Sequence, residues 1–212
     1  MSQIYKLFYN NRMLVVADIP ENVEFLANQK QYIYDNPSDL IITIRSFEKN
    51  QAIHALYVFA YDKIDEALNV VKSIYQYVSA AGGIVKNVNN ELLFISRFNK
   101  WDLPKGHVEP NEMISDAAYR EVVEETSVKH LVLGKYLGST FHIYFLANTW
   151  CLKETHYYLM TTKSIEPLIP QSSEAIDDAK WIGRDAIGNV LNKSYTSINV
   201  FITENLDAIF NG

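Results

Sequence analysis

The sequence is poor in cysteine and has no long apolar run. Its one cysteine, Cys151, excludes an intramolecular disulfide framework and favours a reducing compartment. No segment approaches the roughly 18 consecutive apolar residues that a membrane span needs. The first residues, MSQIYKLFYNNR, lack the basic stretch and apolar core of a secretory signal. These absences predict a cytoplasmic protein with no membrane partner.

Positive charge is also scarce. The chain carries 19 lysine and arginine residues against 25 aspartates and glutamates, a formal net charge of −6. Non-specific affinity for nucleic acid depends on a basic surface that neutralises phosphates. We therefore expect no nucleic-acid partner, and an anionic ligand would need local cations or a bound metal.

Several common catalytic motifs are missing. The sequence contains no Gly-x-Ser-x-Gly nucleophile elbow, no Gly-x4-Gly-Lys phosphate loop and no Gly-x-Gly-x-x-Gly dinucleotide fingerprint. Its five histidines and one cysteine show no spacing typical of a zinc site. The chemistry of this chain has to be sought elsewhere.

The first 80 residues predict a small α/β domain without a catalytic constellation. A hairpin around Asn10 and a helix with Asp62 as its N-cap are expected there. The predicted strands are IYKLFY, MLVVAD, LIITIRSF and HALYVFAY, and the predicted helix is KIDEALNVVKSIYQYV. Because Ala81-Gly82-Gly83 reads as a helix break, we place a domain boundary there, between residues 1–81 and residues 82–212.

Beyond that boundary, strand and helix signals alternate. A second hairpin is expected around the polar residues 87–90, and two helices are expected near the carboxyl end, in RDAIGNVL and TSINVFITENLDAIF. The predicted strands are IVKN, ELLFISRF, HLVLGKYLGSTFHIYFL, TWCLKETHYYLMTT and AKWIG. Strands and helices in this order predict an α/β (α+β) fold class.

Three glutamates crowd one face of the predicted helix in AAYREVVEETSV. Glu121, Glu124 and Glu125 are spaced i, i+3 and i+4, which places them within an arc of about 100°. Like charges at this spacing cost a helix roughly 0.2 to 0.5 kcal/mol per pair. The pattern is compatible with a solvated acidic face or with a site for a divalent cation.

The segment from Gly106 to Val128 decides between these two interpretations. It resembles the Nudix box, Gly-x5-Glu-x7-Arg-Glu-U-x-Glu-Glu-x-Gly-U, at eight of nine specified positions. The matching positions are Gly106, Glu112, Arg120, Glu121, Val122, Glu124, Glu125 and Val128. The departure is Ser127 in place of glycine. A glycine there commonly supplies the left-handed residue that ends a helix, so we expect Ser127 to affect stability rather than chemistry.

The resemblance implies a Nudix (MutT-like) hydrolase fold, an α/β/α sandwich with a mixed sheet, preceded here by the small α/β domain. It implies that Glu121, Glu124 and Glu125 bind Mg²⁺, with Mn²⁺ as an alternative, and that the Gly106 carbonyl is a further ligand. Glu112 and Arg120 would brace the loop and helix, although an ordinary ion pair would also explain Arg120.

The general base is left open by the resemblance. Glu121 is one candidate and Glu174, in the loop before the AKWIG strand, is another, because related enzymes often carry an acidic residue there. Asp177 and Asp178 compete with Glu174, and an exposed loop acid without a catalytic role would also fit that position. The box itself therefore predicts the metal ligands more firmly than the proton acceptor.

Substrate contacts are expected from cations and aromatic residues near the box. Lys105 and His107 flank Gly106, Arg97 ends the preceding strand, and Tyr158 shares a strand face with His156. For Arg97 and His156, a surface cation and an ordinary strand histidine fit as well. Three further aromatic residues could stack on a nucleotide base, although core packing would explain them as well: Trp101, Tyr144 and Tyr157.

The segment WDLPKGHVEPNE, which leads into and through the start of the box, resembles that of dinucleoside polyphosphate hydrolases. We therefore predict a metal-dependent pyrophosphohydrolase acting on a phosphorylated nucleotide, with diphosphoinositol phosphates, ADP-ribose, nucleotide sugars and oxidised nucleoside triphosphates left open. The alternative is an inactive nucleotide-sensing or protein-binding module. Residues 1–81 would then recruit a partner, or in either case form a homodimer contact or a lid.

Overall fold

Eleven strands and five α-helices follow one another along residues 3–18 and 26–211, the part of the chain that the computed structural model describes. The chain divides into two units. The first comprises Met1–Val78 and Phe141–Lys153, and the second comprises Ser79–Thr140 and Glu154–Gly212. No helix among the described residues is long and apolar enough to cross a membrane.

Strands β1 and β2 of the first unit form the predicted antiparallel hairpin, in which Asn10 has a φ of +53°. Strand β4 runs parallel to both β2 and β3 and pairs with each. The apolar faces of two helices complete the core. The elements are β1 (Ile4–Tyr9), β2 (Arg12–Ala17), β3 (Gln29–Ile33), α1 (Pro37–Lys49), β4 (Ala55–Phe59) and α2 (Ile64–Ser73).

The segment LIITIRSF lies in helix α1, so its prediction as a strand is wrong. The Asn36 side chain accepts a hydrogen bond from the Asp39 amide at 3.0 Å, and proline occupies the first turn. The helix buries one face at helical spacing, formed by Leu40, Ile44 and Phe47. The start signal Asn-Pro-Ser-Asp outweighs the β-branched residues that suggested a strand.

The helix expected from Asp62 to Val78 is also shorter than predicted. A 3-10 turn at Tyr61–Lys63 precedes α2, and the residue before that turn is Ala60, so Asp62 is not the N-cap. Helix α2 ends at Ser73. Residues 76–86 then form a strand, which places the Ala-Gly-Gly segment inside a sheet rather than at a helix end.

The remaining elements lie wholly or partly in the second unit, around strands in the order β11-β6-β5-β10-β9. Strand β7 pairs with β6, and β8 pairs with β5. The elements are β5 (Gln76–Lys86), β6 (Leu92–Arg97), β7 (Lys100–Asp102), β8 (Lys105–His107), α3 (Ile114–Thr126), β9 (Leu131–Leu146), β10 (Thr149–Thr162), β11 (Ile176–Ile182), α4 (Ile187–Leu191) and α5 (Thr196–Phe210).

Helices cover both faces of this sheet. Helix α3 buries Ala117, Ala118 and Val122 against one face, where Met160 belongs to the same core. Tyr119, on the same helix, is 41% exposed. On the other face, α4 and α5 pack into a second core that includes Phe94 and Tyr157. The helix–sheet–helix layering confirms the predicted α/β/α sandwich.

Candidate active site

The loop before α3 is fixed to the helix by a bidentate ion pair. Arg120 Nε and Nη2 donate to the two carboxylate oxygens of Glu112, each at 2.8 Å. The Glu109 amide donates to the same carboxylate at 2.9 Å. These hydrogen bonds lower the pKa of Glu112 to about 2, with Arg120 as the largest cause. The pair therefore joins the loop to the helix by hydrogen bonds at both carboxylate oxygens.

The Arg120 guanidinium also contacts two of the three crowded glutamates. Its Nη1 donates to Glu121 Oε1 at 2.8 Å and to Glu124 Oε2 at 3.1 Å. Its Nη2 donates to the His107 carbonyl at 3.0 Å. One cation thus meets three carboxylates and a loop carbonyl, and its own pKa is raised, chiefly by the hydrogen bonds to Glu112.

The Glu121 carboxylate lies directly against the backbone of Gly106. A Cβ atom at position 106 would stand 2.0 Å from Glu121 Oε2, a distance that no side chain could keep. Gly106 pairs with Ala81 of β5, which fixes the strand at this point. The first glycine of the box is therefore needed so that backbone and carboxylate can lie side by side.

Glu125 is the buried member of the trio, with 2% of its surface exposed. Its Oε2 accepts a hydrogen bond from the Lys105 amide at 2.8 Å. Burial is the main cause that raises the pKa of Glu125 to about 7. The charge and amide of Lys105 oppose this rise, whereas the carboxylates of Glu121 and Asp102 add to it.

Lys105 directs its ammonium group into the protein. Its Nζ lies 2.8 Å from Asp102 Oδ2, and the two side chains are 10% and 7% exposed. His107, two residues further on, is exposed. Sequence reasoning missed Asp102. The available signal was an aspartate three residues before a lysine, across a turn that contains a proline.

The second candidate base lies at the edge of β11. Glu174 ends a short 3-10 turn and forms an ion pair with Arg97 at 3.6 Å. The same loop is attached to the end of α3, because the Gln171 amide donates to the Glu125 carbonyl at 3.1 Å. Of its two competitors, Asp178 pairs with Lys180, and Asp177 is exposed as Glu174 is.

The aromatic candidates occupy different environments. Tyr158 is half-buried beside Tyr136, with ring centroids 5.4 Å apart. His156 Nδ1 lies 2.9 Å from Ser139 Oγ in the same region of strands β9 and β10. Tyr157 is fully buried in the core on the α5 side. Tyr144 belongs to the first unit, and the Trp101 ring is half-buried near Lys180.

The donor set on α3 fits a divalent cation by chemistry. Mg²⁺ and Mn²⁺ take carboxylate and carbonyl oxygens, which Glu121, Glu124, Glu125 and Gly106 offer. Within residues 3–18 and 26–211, no three such side chains already converge as a ligand group. Arg120 holds two of the glutamates, and the Lys105 amide holds the third. Burial is the main cause of the raised pKa of Glu125, and the carboxylates of Glu121 and Asp102 add to it; a cation bound beside Glu125 would oppose this rise.

The helix ends as the sequence predicts. Ser127 has φ 55° and ψ 24°, the left-handed conformation expected at this position, and its amide donates to the Val123 carbonyl at 2.8 Å. The residue that departs from the Nudix box therefore keeps the backbone conformation that glycine adopts most easily.

Comparisons with known sequences point to one family. The profile of the NUDIX domain matches residues 76–201. An RNA pyrophosphohydrolase of Bartonella tribocorum is 29% identical over 110 residues, 45% of this chain and 64% of that protein. A putative 8-oxo-dGTP diphosphatase of Bacillus subtilis is 42% identical over 52 residues, 24% of this chain and 35% of that protein. The chain thus spans less than two thirds of either relative.

Solved structures agree at the level of the fold. The C. elegans Ap4A hydrolase superposes with a TM-score of 0.50 at 22% identity, over 64% of this chain and 99% of that one. The E. coli dihydroneopterin triphosphate pyrophosphohydrolase superposes with a TM-score of 0.51 at 16% identity, over 62% and 96%. Because the domain profile covers more than half of the sequence and contains the whole box, the chain belongs to the Nudix family.

Proposed function

We propose that the protein is a metal-dependent Nudix hydrolase that cleaves a phosphoanhydride bond in a nucleoside diphosphate linked to another group. The observation that carries this proposal is the Glu121 carboxylate lying against the Gly106 backbone, on a helix where Arg120 contacts both Glu121 and Glu124. The names of two relatives, a pyrophosphohydrolase and a diphosphatase, support the same reaction class.

The reaction depends mainly on charge and position. A water molecule must approach a phosphorus atom that negative oxygens already shield, so positioning and charge neutralisation supply most of the catalysis. A divalent cation, when bound, would neutralise phosphate charge and lower the pKa of a bound water. Glu121, Glu124 and Glu125 would hold it together with the Gly106 carbonyl. We propose Mg²⁺, with Mn²⁺ as the alternative.

The chain's other residues have positioning and proton-transfer roles in this proposal. Arg120 and Glu112 keep the loop and the helix in register through their bidentate hydrogen bonds. The proton of the attacking water goes to Glu121 or to Glu174. Glu174 is the more accessible of the two, with 52% of its side chain exposed. A Glu174→Gln variant distinguishes them, because it lowers kcat strongly only if Glu174 is the base.

We propose a dinucleoside polyphosphate or a related polyphosphorylated nucleotide as the substrate. The Pro-Lys-Gly-His sequence that leads into the box supports this choice by its resemblance to dinucleoside polyphosphate hydrolases. His107 and Arg97 are the proposed phosphate contacts, and Tyr158 is the proposed contact for a base. All three belong to the second unit.

A substrate screen tests the proposal. Wild type and Glu124→Gln are assayed with Mg²⁺ and with Mn²⁺ on dinucleoside polyphosphates, nucleoside triphosphates, ADP-ribose, nucleotide sugars and diphosphoinositol phosphates. We expect metal-dependent release of phosphorylated products, and a loss of about a hundredfold or more in the variant, as when one strong electrostatic contributor is removed.

The matched control is Glu166→Gln, which neutralises an exposed glutamate whose partner is Lys129. It should keep wild-type turnover. Turnover without added metal would contradict the metal dependence. If no substrate is turned over while nucleotide binding is retained, the protein is a nucleotide-sensing module and not a hydrolase.

The role of residues 1–81 is a separate proposal, in which they form a homodimer contact or a lid. A truncation at residue 82 would cut through strand β5, which runs over Gln76–Lys86. The full-length protein is therefore the right sample for sedimentation. A concentration-independent monomer would exclude the dimer contact.

A further inference from the structure

The turn between β7 and β8 is held at both ends by one carboxylate. Asp102 Oδ1 accepts a hydrogen bond from the Leu103 amide at 2.8 Å, and Asp102 Oδ2 lies 2.8 Å from Lys105 Nζ. The aspartate thus binds the first residue after it and the side chain that begins β8. The Asp102 side chain therefore restrains this turn from within.

The ion pair between Asp102 and Lys105 is buried. Burial alone would lower the pKa of Lys105, but the carboxylates of Asp102 and Glu125 outweigh that effect and raise it. The ammonium group forms this ion pair inside the protein. Its direction toward Asp102, with only a tenth of the side chain exposed, differs from that of a lysine presented to a phosphate in solution.

Strand β5 fixes the same turn from its other side. The Gly83 amide donates to the Pro104 carbonyl at 3.1 Å. A Cβ atom at Gly82 would lie 2.3 Å from that carbonyl oxygen and 2.4 Å from Lys105 Cβ. The turn therefore has no room to move toward the sheet, and the Asp102–Lys105 ion pair restrains it internally.

One hydrogen bond connects this turn to the face of α3 that carries the proposed metal ligands. The Lys105 amide donates to Glu125 Oε2 at 2.8 Å, and Glu125 is the buried glutamate of the trio. The direction of this amide is set by the turn, so the turn also sets where the Glu125 carboxylate lies.

We propose that Asp102 and Lys105 are a positioning pair that fixes the Lys105 amide and, through it, the Glu125 carboxylate, and that the Lys105 ammonium does not contact the substrate. This replaces the phosphate-binding role that the sequence suggested for Lys105. The catalytic consequence rests on the proposed hydrolase function, whereas the effect on the amide does not.

The test uses the full-length protein without metal and follows hydrogen exchange of the amide at position 105 by NMR. The variants are Asp102→Asn, Lys105→Met and the double variant D102N/K105M. Lys129→Met is the matched control, because it removes a lysine from an exposed ion pair with Glu166. The double variant leaves no unpaired buried charge, so it should regain thermal stability that the single variants lose.

We expect exchange at position 105 to be faster by about tenfold or more in both single variants and in the double variant, the ratio that corresponds to weakening a hydrogen bond to a charged group. Lys129→Met should exchange as wild type does. In turnover assays, the same three variants should lower kcat while KM stays within about threefold, because an interaction made in the transition state has weakened.

Two results would overturn the inference. Wild-type exchange and kcat in the double variant would show that the pair only stabilises the fold. A KM raised at least about tenfold by Lys105→Met, with kcat and exchange unchanged, would make Lys105 a substrate contact after all. If wild type hydrolyses no substrate, the proposed function fails, but the exchange measurement still decides the positioning role.

Discussion

Each unit of this protein contains a network of charged side chains, and the two networks differ in their ratio of acidic to basic groups. In the first unit, Glu48 accepts hydrogen bonds from Arg45 at 2.8 Å and from the Tyr75 hydroxyl at 2.7 Å. In the second unit, one guanidinium meets Glu112, Glu121 and Glu124. The first network pairs its single carboxylate fully, whereas the second retains an excess of carboxylates.

The first network has the features of a structural one. Arg12 donates to carbonyls at the end of α1, among them Asn50 at 3.1 Å, and the Tyr9 and Tyr75 hydroxyls are in close contact. Burial is the main cause that raises the pKa of both tyrosines, so they remain neutral hydroxyls. Buried polar groups that find partners in this way stabilise a fold and leave nothing for a ligand to neutralise.

The second network has the opposite property. Burial is the main cause that raises the pKa of Glu125; Lys105 opposes the rise, and the carboxylates of Glu121 and Asp102 add to it. Nearby, the single Arg120 guanidinium faces an excess of carboxylates, those of Glu112, Glu121 and Glu124. A fold does not need such an excess, and it costs stability unless a cation offsets it. The comparison teaches that an excess of carboxylates over cations, rather than the number of ion pairs, distinguishes a candidate cation site from a structural network.

The largest expected effect follows from filling the space beside Glu121. Gly106→Ala places a methyl group where the Glu121 carboxylate lies, so that carboxylate must move. We expect kcat to fall by about a hundredfold, the scale of a misplacement near 1 Å in a catalytic group. Gly188→Ala is the matched control, since nothing lies within 4 Å of a Cβ there. Wild-type kcat in Gly106→Ala would contradict this role of Glu121.

Metal binding should stabilise the protein through the glutamate network of the second unit and not through the Glu48 network of the first. Mn²⁺ at about a hundred times its dissociation constant is expected to raise the free energy of unfolding of wild type by about 2.7 kcal/mol. Glu124→Gln should lose most of this gain, and Glu48→Gln should keep it. Denaturant titrations with and without Mn²⁺ measure the difference. An equal gain in both variants would mean that the cation binds outside the box.

Disrupting the Glu48 network of the first unit should affect stability without affecting turnover. Glu48→Gln removes the charge that Arg45 and Tyr75 share, and we expect it to lower the free energy of unfolding by about 2 kcal/mol. Glu166→Gln, in an exposed ion pair, should change it by less than about 1 kcal/mol. Urea denaturation and kcat at saturating substrate are the measurements. A large loss of kcat in folded Glu48→Gln would link this network to catalysis.

The smallest expected effect is at the end of α3. Ser127→Gly relieves the cost of a side chain in the left-handed conformation and should raise the free energy of unfolding by about 1 kcal/mol. Ser127→Ala keeps that cost and should give no gain. Thermal denaturation compares the three proteins. A Ser127→Gly variant with unchanged stability and strongly altered turnover would assign a chemical role to this residue.

The sequence predicted the box and its surroundings well, because their signals are local. The i, i+3, i+4 glutamates, the Glu112–Arg120 pair and the left-handed Ser127 depend on one loop, one helix and its end. The paired strands β6, β9 and β10 also follow from runs of apolar and β-branched residues, whereas only the last part of β5 was predicted as a strand.

The errors arose where one specific contact outweighs the residue composition of a segment. The run LIITIRSF has strand-like residues, yet the cap at Asn36 starts a helix whose apolar face meets the core of the first unit. The glycines at 82 and 83 were interpreted as a break, although they serve close packing in β5. The direction of the Lys105 side chain depends on Asp102 across a turn; their spacing was a signal for this pair, but it does not by itself show which way the lysine points.

The paired glycines of β5 also set a limit on how this protein can vary. Successive residues of a strand point to opposite sides of a sheet, and here both sides are filled, by the Pro104 turn at Gly82 and by Val122 and Met160 at Gly83. In a library of random substitutions selected for folded protein, we expect both codons to remain glycine. The two positions would appear as an adjacent pair of invariant sites in a strand that otherwise accepts exchange among apolar residues.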